Sequence, residues 1–202
     1  MRKRLFIAAD LGASLGDSFF ATLKKLKINA DKKELHMRWT QPENYHATVT
    51  FLGETDIAAI PLIQQCLEKV CLEFNPFDLK IEDIGAFSHE HEARVLWAGV
   101  QNKRYLNELK YRLDEELLRY NLIPGIEDRE FVPHMTIARL RNPKSVKDLL
   151  SPFKRKSFGK TQVRDLVLYE SKLQGQFPVY IPILKVPLSA ALPKEEEVSL
   201  FF

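Results

Sequence analysis

The sequence is short of cysteine, of long apolar runs and of excess charge, and each shortage excludes a class of protein. Cys66 and Cys71 are the only two cysteines among 202 residues, and their spacing in a helical stretch fits neither a disulfide framework nor a zinc knuckle. The longest uncharged apolar stretches, such as residues 5–9 and 45–52, are far shorter than the roughly 20 residues that cross a bilayer. We therefore predict no disulfide, no zinc and no membrane span.

The N-terminal sequence and the net charge narrow the class of protein further. The apolar run after the basic residues 2–4 is too short for a secretory signal, which predicts a cytoplasmic protein. The formal net charge of +3, from 30 basic and 27 acidic residues, is too small to indicate a long nucleic-acid track. It is compatible with a local anion site, because a phosphate end needs only a few cationic or hydrogen-bonding groups.

Apolar patterning predicts an alternation of strands and helices along the whole chain. In the first half it indicates a buried strand at 5–9, a helix capped by Ser14 or Asp17, extended runs at 37–40 and 45–52, a helix at 56–72 and a strand at 77–84. The second half repeats this order, with strands at 94–98, 131–140 and 161–169, helices at 103–120 and 145–153, and a last strand at 179–186.

This element order predicts an α+β fold with two similar lobes, whose antiparallel-rich sheets face a central cleft and whose helices lie outside. With 45% hydrophobic and 28% charged residues, the composition is that of an ordinary globular protein. We expect a single bilobal domain over residues 1–188 and a solvated C-terminal tail over 189–202.

Two short motifs of the form His-x-Thr-x stand in matching strands of the two halves. They read His46-Ala47-Thr48-Val49 and His134-Met135-Thr136-Ile137. Side chains alternate across a strand, so each histidine shares a face with its threonine while the other two residues face the opposite way. Each strand is therefore expected to offer one imidazole and one hydroxyl to the cleft.

This set of side chains suits the hydrolysis of a phosphodiester without a metal. A neutral imidazole can take a proton from water while a protonated imidazole gives one to the departing ribose oxygen, which makes His46 and His134 an acid–base pair. The hydroxyls of Thr48 and Thr136 can donate to the phosphate oxygens, and Arg139 can add a permanent positive charge. A strained five-membered cyclic phosphate is a natural substrate.

At this point the sequence resembles a known family. The paired motifs resemble the two-histidine phosphoesterase superfamily, and the flanking segments resemble its RNA 2′,3′-cyclic phosphodiesterase group, also called 2′-5′ RNA ligases, over about residues 4–186. The segments that carry the resemblance are residues 4–8, Trp39, 42–46, 51–54, 95–99 and 133–139. Residues 174–180 depart from the family pattern, which is glycine-rich before a proline and a tyrosine.

The resemblance implies a bilobal fold and the opening of an RNA 2′,3′-cyclic phosphate to a 2′-phosphate. It also implies reversible joining of RNA ends through a 2′-5′ link without ATP. The implied roles are proton donor for His46 and proton acceptor for His134. We expect a monomer that binds RNA ending in a cyclic phosphate and that needs neither cofactor nor metal.

Several residues have a structural interpretation beside a functional one. Threonine favours strands in any protein, and aromatic residues in strands more often belong to the core, so Trp39 and Trp97 are interpreted as core. Phe51 is a candidate for stacking on a base. The run 89–92, His-Glu-His-Glu, is interpreted as a polar loop, since no further ligands stand at metal-binding spacing.

Two other functions stay open from the sequence. One is a phosphodiesterase of small cyclic nucleotide-type phosphates, which would not gain from added nucleotides. The other is a non-catalytic module that holds a nucleotide or an RNA end. Two titratable imidazoles argue against the second function, because binding alone does not require them.

Overall fold

The structure, a computed structural model, describes residues 1–12, 15–87, 89–126, 130–175 and 177–189. Within these residues the helices are α1 (Asp17–Lys32), α2 (Ile60–Cys71), α3 (Arg104–Arg119) and α4 (Lys147–Leu150). The strands are β1 (Arg2–Asp10), β2 (Met37–Trp39), β3 (His46–Asp56), β4 (Phe77–Phe87), β5 (Ala93–Gln101), β6 (His134–Lys144), β7 (Ser157–Val163), β8 (Asp165–Gln174) and β9 (Phe177–Pro187).

The nine strands form an antiparallel sheet in the order β7-β4-β5-β6-β3-β1-β8-β9, with β2 beside β6. At its centre β3 and β6 are joined through a single residue pair, Ala47 with Met135. This seam divides the sheet into a His46 half (β3, β1, β8, β9) and a His134 half (β6, β5, β4, β7). The predicted α+β fold with two similar antiparallel halves is confirmed.

The two halves of the sheet are not the two halves of the chain. Strand β4 comes from the first half of the chain but pairs with β5 and β7. Strands β8 and β9 come from the second half, yet β8 pairs with β1 and β9 pairs with β8. Each half of the sheet therefore includes strands from both halves of the sequence.

One face of the sheet is covered by helices with apolar stripes. On α3 the fully buried side chains Leu106, Leu109, Leu113 and Leu117 recur every three or four residues. Helices α1 and α2 contribute similar stripes to the same core cluster. The helices thus leave the opposite face of the sheet for the cleft.

The cleft face of the His46 half carries a small apolar cluster of its own. Phe6 and Ala8 of β1 lie there with Val167 and Tyr169 of β8, and Tyr180 of β9 packs against them. The residues that alternate with Phe6 and Ala8 on β1 belong to the helix-covered core. Strand β1 is therefore buried on both faces.

Some predicted boundaries were wrong. The strand predicted at 161–169 is two strands, which break at Arg164, and β6 begins at His134 instead of residue 131. Helix α1 has Gly16 as its N-cap, so Asp17 lies inside the helix, and Ser14 lies outside the described residues. The predicted helix at 145–153 is α4 followed by a single 3₁₀ turn.

The C-terminal tail predicted for residues 189–202 lies outside the described residues, except for Ser189. The backbone N–H of Ser189 donates to the carbonyl oxygen of Cys71 at the end of α2. In the part of the chain that the structure describes, no helix is long and apolar enough to cross a membrane.

Candidate active site

The seam of the sheet brings the two His-x-Thr-x motifs together. Ala47 and Met135, the second residues of the two motifs, are partners across the seam, and both are fully buried toward the core. Extending this antiparallel register by one residue in each direction sets His46 opposite Thr136 and Thr48 opposite His134. The cleft face at the seam therefore holds two imidazoles on one diagonal and two hydroxyls on the other.

Each motif ends in a β-bulge, which changes the face of the residues that follow. Thr48 and Thr50 pair with consecutive residues of β1, so Val49 has no partner on that strand. In the same way Thr136 and Ala138 pair with consecutive residues of β5, so Ile137 has no partner there. A bulge adds one residue and reverses the alternation. Phe51 and Arg139, each five residues after a motif histidine, consequently lie on the cleft face.

The backbone holds both imidazoles in the same tautomer. The Nδ1 atom of His46 lies 2.7 Å from the carbonyl oxygen of Asn44, and that of His134 lies 3.0 Å from the carbonyl oxygen of Val132. A carbonyl oxygen can only accept, so Nδ1 must carry a hydrogen and donate it. The Nε2 atom of each ring is left to exchange protons in the cleft.

Aromatic rings pack around the two histidines unequally. The His46 ring is 8% exposed and lies edge-on to Tyr180, with a centroid distance of 5.0 Å, and beside Phe6 and Tyr169. The half-buried His134 ring meets the ring of Phe87 edge-on at 4.7 Å. The first imidazole is thus more deeply enclosed than the second.

This burial weakens the basicity of both rings. The pKa of His46 is lowered to about 4, mainly by burial; the charge of Arg139 and that of a protonated His134 act in the same direction, while the Asn44 carbonyl and Asp10 oppose the change. Burial also lowers the pKa of His134, again with help from Arg139. Both rings are therefore neutral in the free protein at pH 7.

Arg139 is positioned by a residue that no sequence motif assigned to the site. Its Nη2 atom donates to the hydroxyl of Tyr180 at 3.1 Å, and the Tyr180 ring packs against both Phe6 and His46. Tyr180 reaches the site because β9 lies next to β8 at the edge of the His46 half. The sequence signal that could have identified it is the family segment at residues 174–180, which ends at this tyrosine.

Two pockets open toward opposite ends of the seam, and each is lined by residues of both half-sheets. The smaller, of about 350 Å³, we call the cationic pocket; it contains His46, Thr136 and Arg139, and its other lining residues include Lys27, Arg38, Trp39 and Tyr180. The larger, of about 530 Å³, we call the aromatic pocket; it contains His134 and Thr48, and its other lining residues include Phe51, Phe87, Ile123 and Phe131.

A buried polar network stands behind the aromatic pocket. Asp114 of α3 is 2% exposed and accepts hydrogen bonds from the Thr50 hydroxyl at 2.5 Å and from Lys110 Nζ at 2.6 Å. Lys110 Nζ also lies 5.4 Å from the centre of the Phe131 ring. This network ties α3 to β3 and neutralises the lysine at the pocket wall.

The aromatic residues considered from the sequence take different positions. Phe51 is 58% exposed on the cleft face, next to Phe6. Trp39 is half-buried at the cationic pocket, and Lys27 Nζ lies 5.4 Å from its ring. Trp97 lies over Gly85 and pairs in register with Thr136. Phe51 and Trp39 thus line the two pockets, and Trp97 lies beside Thr136. Trp39 also packs against the core cluster, as predicted.

The run of His and Glu residues at 89–92 lies in the turn between β4 and β5. The rings of His89 and His91 are 6.3 Å apart, and His89 Nε2 is 3.8 Å from a carboxylate oxygen of Glu92. Among the residues that the structure describes, no three His, Cys, Asp or Glu side chains are grouped so that they could hold a metal ion.

Two similar half-sheets that present a histidine and a threonine each to one cleft define a protein of the two-histidine phosphoesterase type. The model of the 2′-5′ RNA ligase superfamily matches residues 16–175. The chain belongs to that superfamily, and the resemblance stated from its motifs is confirmed.

The curated relatives extend over most of the chain. Proteins named RNA 2′,3′-cyclic phosphodiesterase from Archaeoglobus fulgidus and Aquifex aeolicus are 32% and 31% identical to it, over 88% and 86% of this chain and 96% and 93% of their own lengths. The protein of the same name from Methanothermobacter thermautotrophicus is 26% identical over 89% of this chain and 96% of its own.

Solved structures share the fold. The protein TT0787 of Thermus thermophilus matches with a TM-score of 0.74 and 24% identity, over 94% of this chain and 99% of its own. E. coli LigT complexed with 3′-AMP matches with a TM-score of 0.65 and 22% identity, over 93% of this chain and 99% of its own. At these identities the likeness concerns the fold alone.

Proposed function

We propose that this protein is an RNA 2′,3′-cyclic phosphodiesterase that opens a terminal cyclic phosphate to a 2′-phosphate by histidine acid–base catalysis. The observation that carries the proposal is the matched setting of His46 and His134. Each stands next to the single bridge of the seam, and each has Nδ1 bound to a backbone carbonyl, so that Nε2 serves the cleft. The relatives named for this activity support the same conclusion.

In the proposed reaction water attacks phosphorus in line with the bond to the ribose 3′-oxygen. His134 accepts the proton of the water at Nε2, and His46 donates the proton at its Nε2 to the 3′-oxygen as the P–O3′ bond breaks. The phosphate stays on the 2′-oxygen. Thr48, Thr136 and Arg139 stabilise the negative charge on the other phosphate oxygens.

Substrate binding must supply the proton that His46 donates. The free site holds two neutral imidazoles because burial and Arg139 lower the pKa of both. A phosphate anion between the rings has the opposite effect, since a nearby negative charge favours the protonated form. We therefore propose that the RNA end and one proton bind together.

Four enzyme preparations test the proposal: wild type, His46→Ala, His134→Ala and wild type with excess chelator. The substrate is a short RNA that ends in a 2′,3′-cyclic phosphate. We expect the wild type to produce a 2′-monophosphate with or without chelator, and each alanine variant to lose at least about a hundredfold in kcat/KM. A matched control is His36→Ala, which changes an exposed histidine before β2.

The same assay separates the competing functions. Turnover of a mononucleotide cyclic phosphate as fast as that of an oligonucleotide would favour a small-molecule phosphodiesterase. Tight binding of the RNA end without product would favour a binding module. Loss of turnover on chelation, or unchanged turnover in both alanine variants, contradicts the proposed mechanism.

We also propose that the enzyme acts as a monomer. Both histidines, both threonines and Arg139 come from one chain, so the site requires no residue of a second copy. Its cytoplasmic location stays a prediction from the sequence.

A further inference from the structure

We infer that Asp10 is a positioning residue for His46, whose carboxylate supplies the negative charge that helps the imidazole to hold the proton it donates. Lys185, which Asp10 shares with Asp165, sets how much of that charge the imidazole feels. This inference rests on the proposed function. It goes further by giving a part in the reaction to three side chains, Asp10, Asp165 and Lys185, which we call the charge cluster.

The pairing of β1 with β3 puts Asp10 directly beside His46. The two residues are partners in the register, and the neighbouring pair is an alanine of each strand that points into the helix-covered core. Asp10 and His46 therefore share the cleft face. The N–H of Leu11 donates to the carbonyl oxygen of Tyr45 at 3.0 Å, so the Asp10–His46 pair is of the non-hydrogen-bonded type. In such pairs the Cα atoms are only about 4.5 Å apart.

The carboxylate acts on the ring by its charge and not by a hydrogen bond. The Nδ1 atom of His46 already donates to the Asn44 carbonyl oxygen, which leaves Nε2 to the cleft. The Asp10 oxygens have other partners: Oδ1 accepts from the N–H of Gly12 at 3.1 Å, and Oδ2 lies 3.4 Å from Lys185 Nζ. A nearby negative charge favours the protonated ring without occupying either of its nitrogens.

Asp10 is the carboxylate among the charged residues that bear most on His46. Burial is the main cause of the low pKa of His46, and Arg139 and a protonated His134 add to it, whereas the charge of Asp10 raises this pKa. The other close neighbours of the ring are uncharged aromatic side chains, those of Phe6, Tyr169 and Tyr180. Asp10 is thus the acidic group that the fold itself sets against two cations and burial.

A second carboxylate lies on the other side of Asp10. Strand β8 pairs with β1 in a register that, continued by one residue, sets Asp165 opposite Asp10. Two carboxylates in directly opposite positions repel each other. Lys185 of β9 bridges them, with Nζ 3.4 Å from Asp10 Oδ2 and 3.0 Å from Asp165 Oδ2. Two negative charges and one positive charge leave the cluster with one negative charge in excess.

Lys185 neutralises Asp10 only in part. Its Nζ atom lies nearer to Asp165, and the hydrogen bond with Asp165 is the first cause of the raised pKa of Lys185, to which Asp10 also contributes. The side chains of Asp10 and Asp165 are 24% and 21% exposed, so solvent screens them less than it screens surface charges. Asp10 therefore keeps a share of its charge for His46.

The pH dependence of kcat tests the cluster, with saturating RNA that ends in a 2′,3′-cyclic phosphate. His46 must be protonated to donate, so kcat falls as the pH rises through the pKa of His46 in the complex. Asp10→Asn removes the negative charge and should move this alkaline limb down by about 0.5 pH unit. Lys185→Gln removes the neutralising charge and should move the limb up by a similar amount. Asp165→Asn leaves Lys185 to Asp10 alone and should move the limb down by less.

The matched controls are Asp78→Asn and Lys160→Gln. These two side chains form an exposed ion pair, with Lys160 Nζ 3.7 Å from Asp78 Oδ2, between β4 and β7 at the other edge of the sheet. They are the same substitutions as two of those in the cluster, but they lie far from His46 in the strand order. We expect no shift of the alkaline limb in either control.

A second measurement does not depend on turnover. The His46 ring is followed by NMR in ¹⁵N-histidine-labelled protein without substrate while the pH is lowered from 7.5. The ring signals should begin to move at the highest pH in Lys185→Gln, at a lower pH in the wild type and at the lowest pH in Asp10→Asn. A purely structural role of the cluster would not produce this order. Lys185→Gln and Asp165→Asn keep the test valid if Asp10→Asn does not fold.

The outcomes are distinguishable from failure of the proposed function. Shifts of the same sign in Asp10→Asn and Lys185→Gln, or a lower kcat with an unmoved limb, overturn the role of the cluster and leave the phosphodiesterase intact. An unchanged order of the NMR titrations among the variants does the same. Absence of hydrolysis in the wild type contradicts the proposed function, while the NMR titrations still report on Asp10.

Discussion

The two histidines are oriented by main-chain carbonyls and not by acidic side chains. The carbonyls belong to Asn44 and Val132, each two residues before its histidine. The hydrogen bonds that fix the rings are therefore made by the backbone that leads into each strand. An acidic partner would raise the pKa of the ring strongly, whereas a carbonyl fixes the tautomer with a smaller effect. Substitution of the Asn44 or Val132 side chain should therefore leave these two hydrogen bonds in place.

The low pKa of His46 should be visible as pH-dependent stability. Its folded pKa is about 4 and its ordinary value is 6.5, so between these values the unfolded chain binds a proton that the folded chain does not. Stability therefore falls as the pH drops from about 6.5 toward about 4. Urea unfolding at pH 7 and pH 4.5 should show that the wild type loses about 2 kcal/mol more than His46→Gln. Equal losses would show that His46 is accessible to protons in the folded state.

Residue-level prediction succeeded where regular alternation holds. His46 and Thr48, and likewise His134 and Thr136, share the cleft face because the pairing between histidine and threonine is regular in both strands. Arg139 lies on the cleft face for a different reason. Regular alternation would place it on the core face, and only the bulge at Ile137 returns it to the cleft.

At the scale of elements, the strand order could not be derived from local patterns. The strand predicted at 77–84 reads as the last strand of the first repeat, yet β4 belongs to the His134 half. Pairing partners are selected by packing between distant segments, which a single sequence does not display. The same limit applies to Tyr180, which β9 brings to the site and which only the family segment at residues 174–180 could have indicated.

The contact between β4 and β5 beneath the cleft offers an element-scale prediction. A Cβ atom added at Gly85 would lie 2.1 Å from Cζ2 of Trp97, so Gly85→Ala must displace the tryptophan that pairs with Thr136. We expect a loss of about 1–3 kcal/mol in the free energy of unfolding. Gly125→Ala is the control, because nothing lies within 4 Å of a Cβ at that position. Equal stability of the two variants in urea would contradict this packing.

At the scale of the whole molecule, every residue that is assigned to the site precedes the end of the last strand. All assigned groups lie between Asp10 and Lys185, and β9 ends at Pro187. A chain that ends after Ser189 should therefore hydrolyse the cyclic phosphate within about twofold of the full chain. A chain that ends after Gln174 lacks β9 and Tyr180 and should be inactive. A large loss in the longer truncation would show that residues 190–202 serve the reaction.

The single residue pair at the seam has a mechanical consequence. A rotation of one half-sheet against the other would pivot near Ala47 and Met135, the immediate neighbours of the two histidines. Displacement in such a rotation grows with distance from the pivot, so the rims of both pockets would move most and the imidazoles least. The cleft could thus widen to admit long RNA strands or narrow around them. The distance between the two imidazoles would stay nearly constant during this motion.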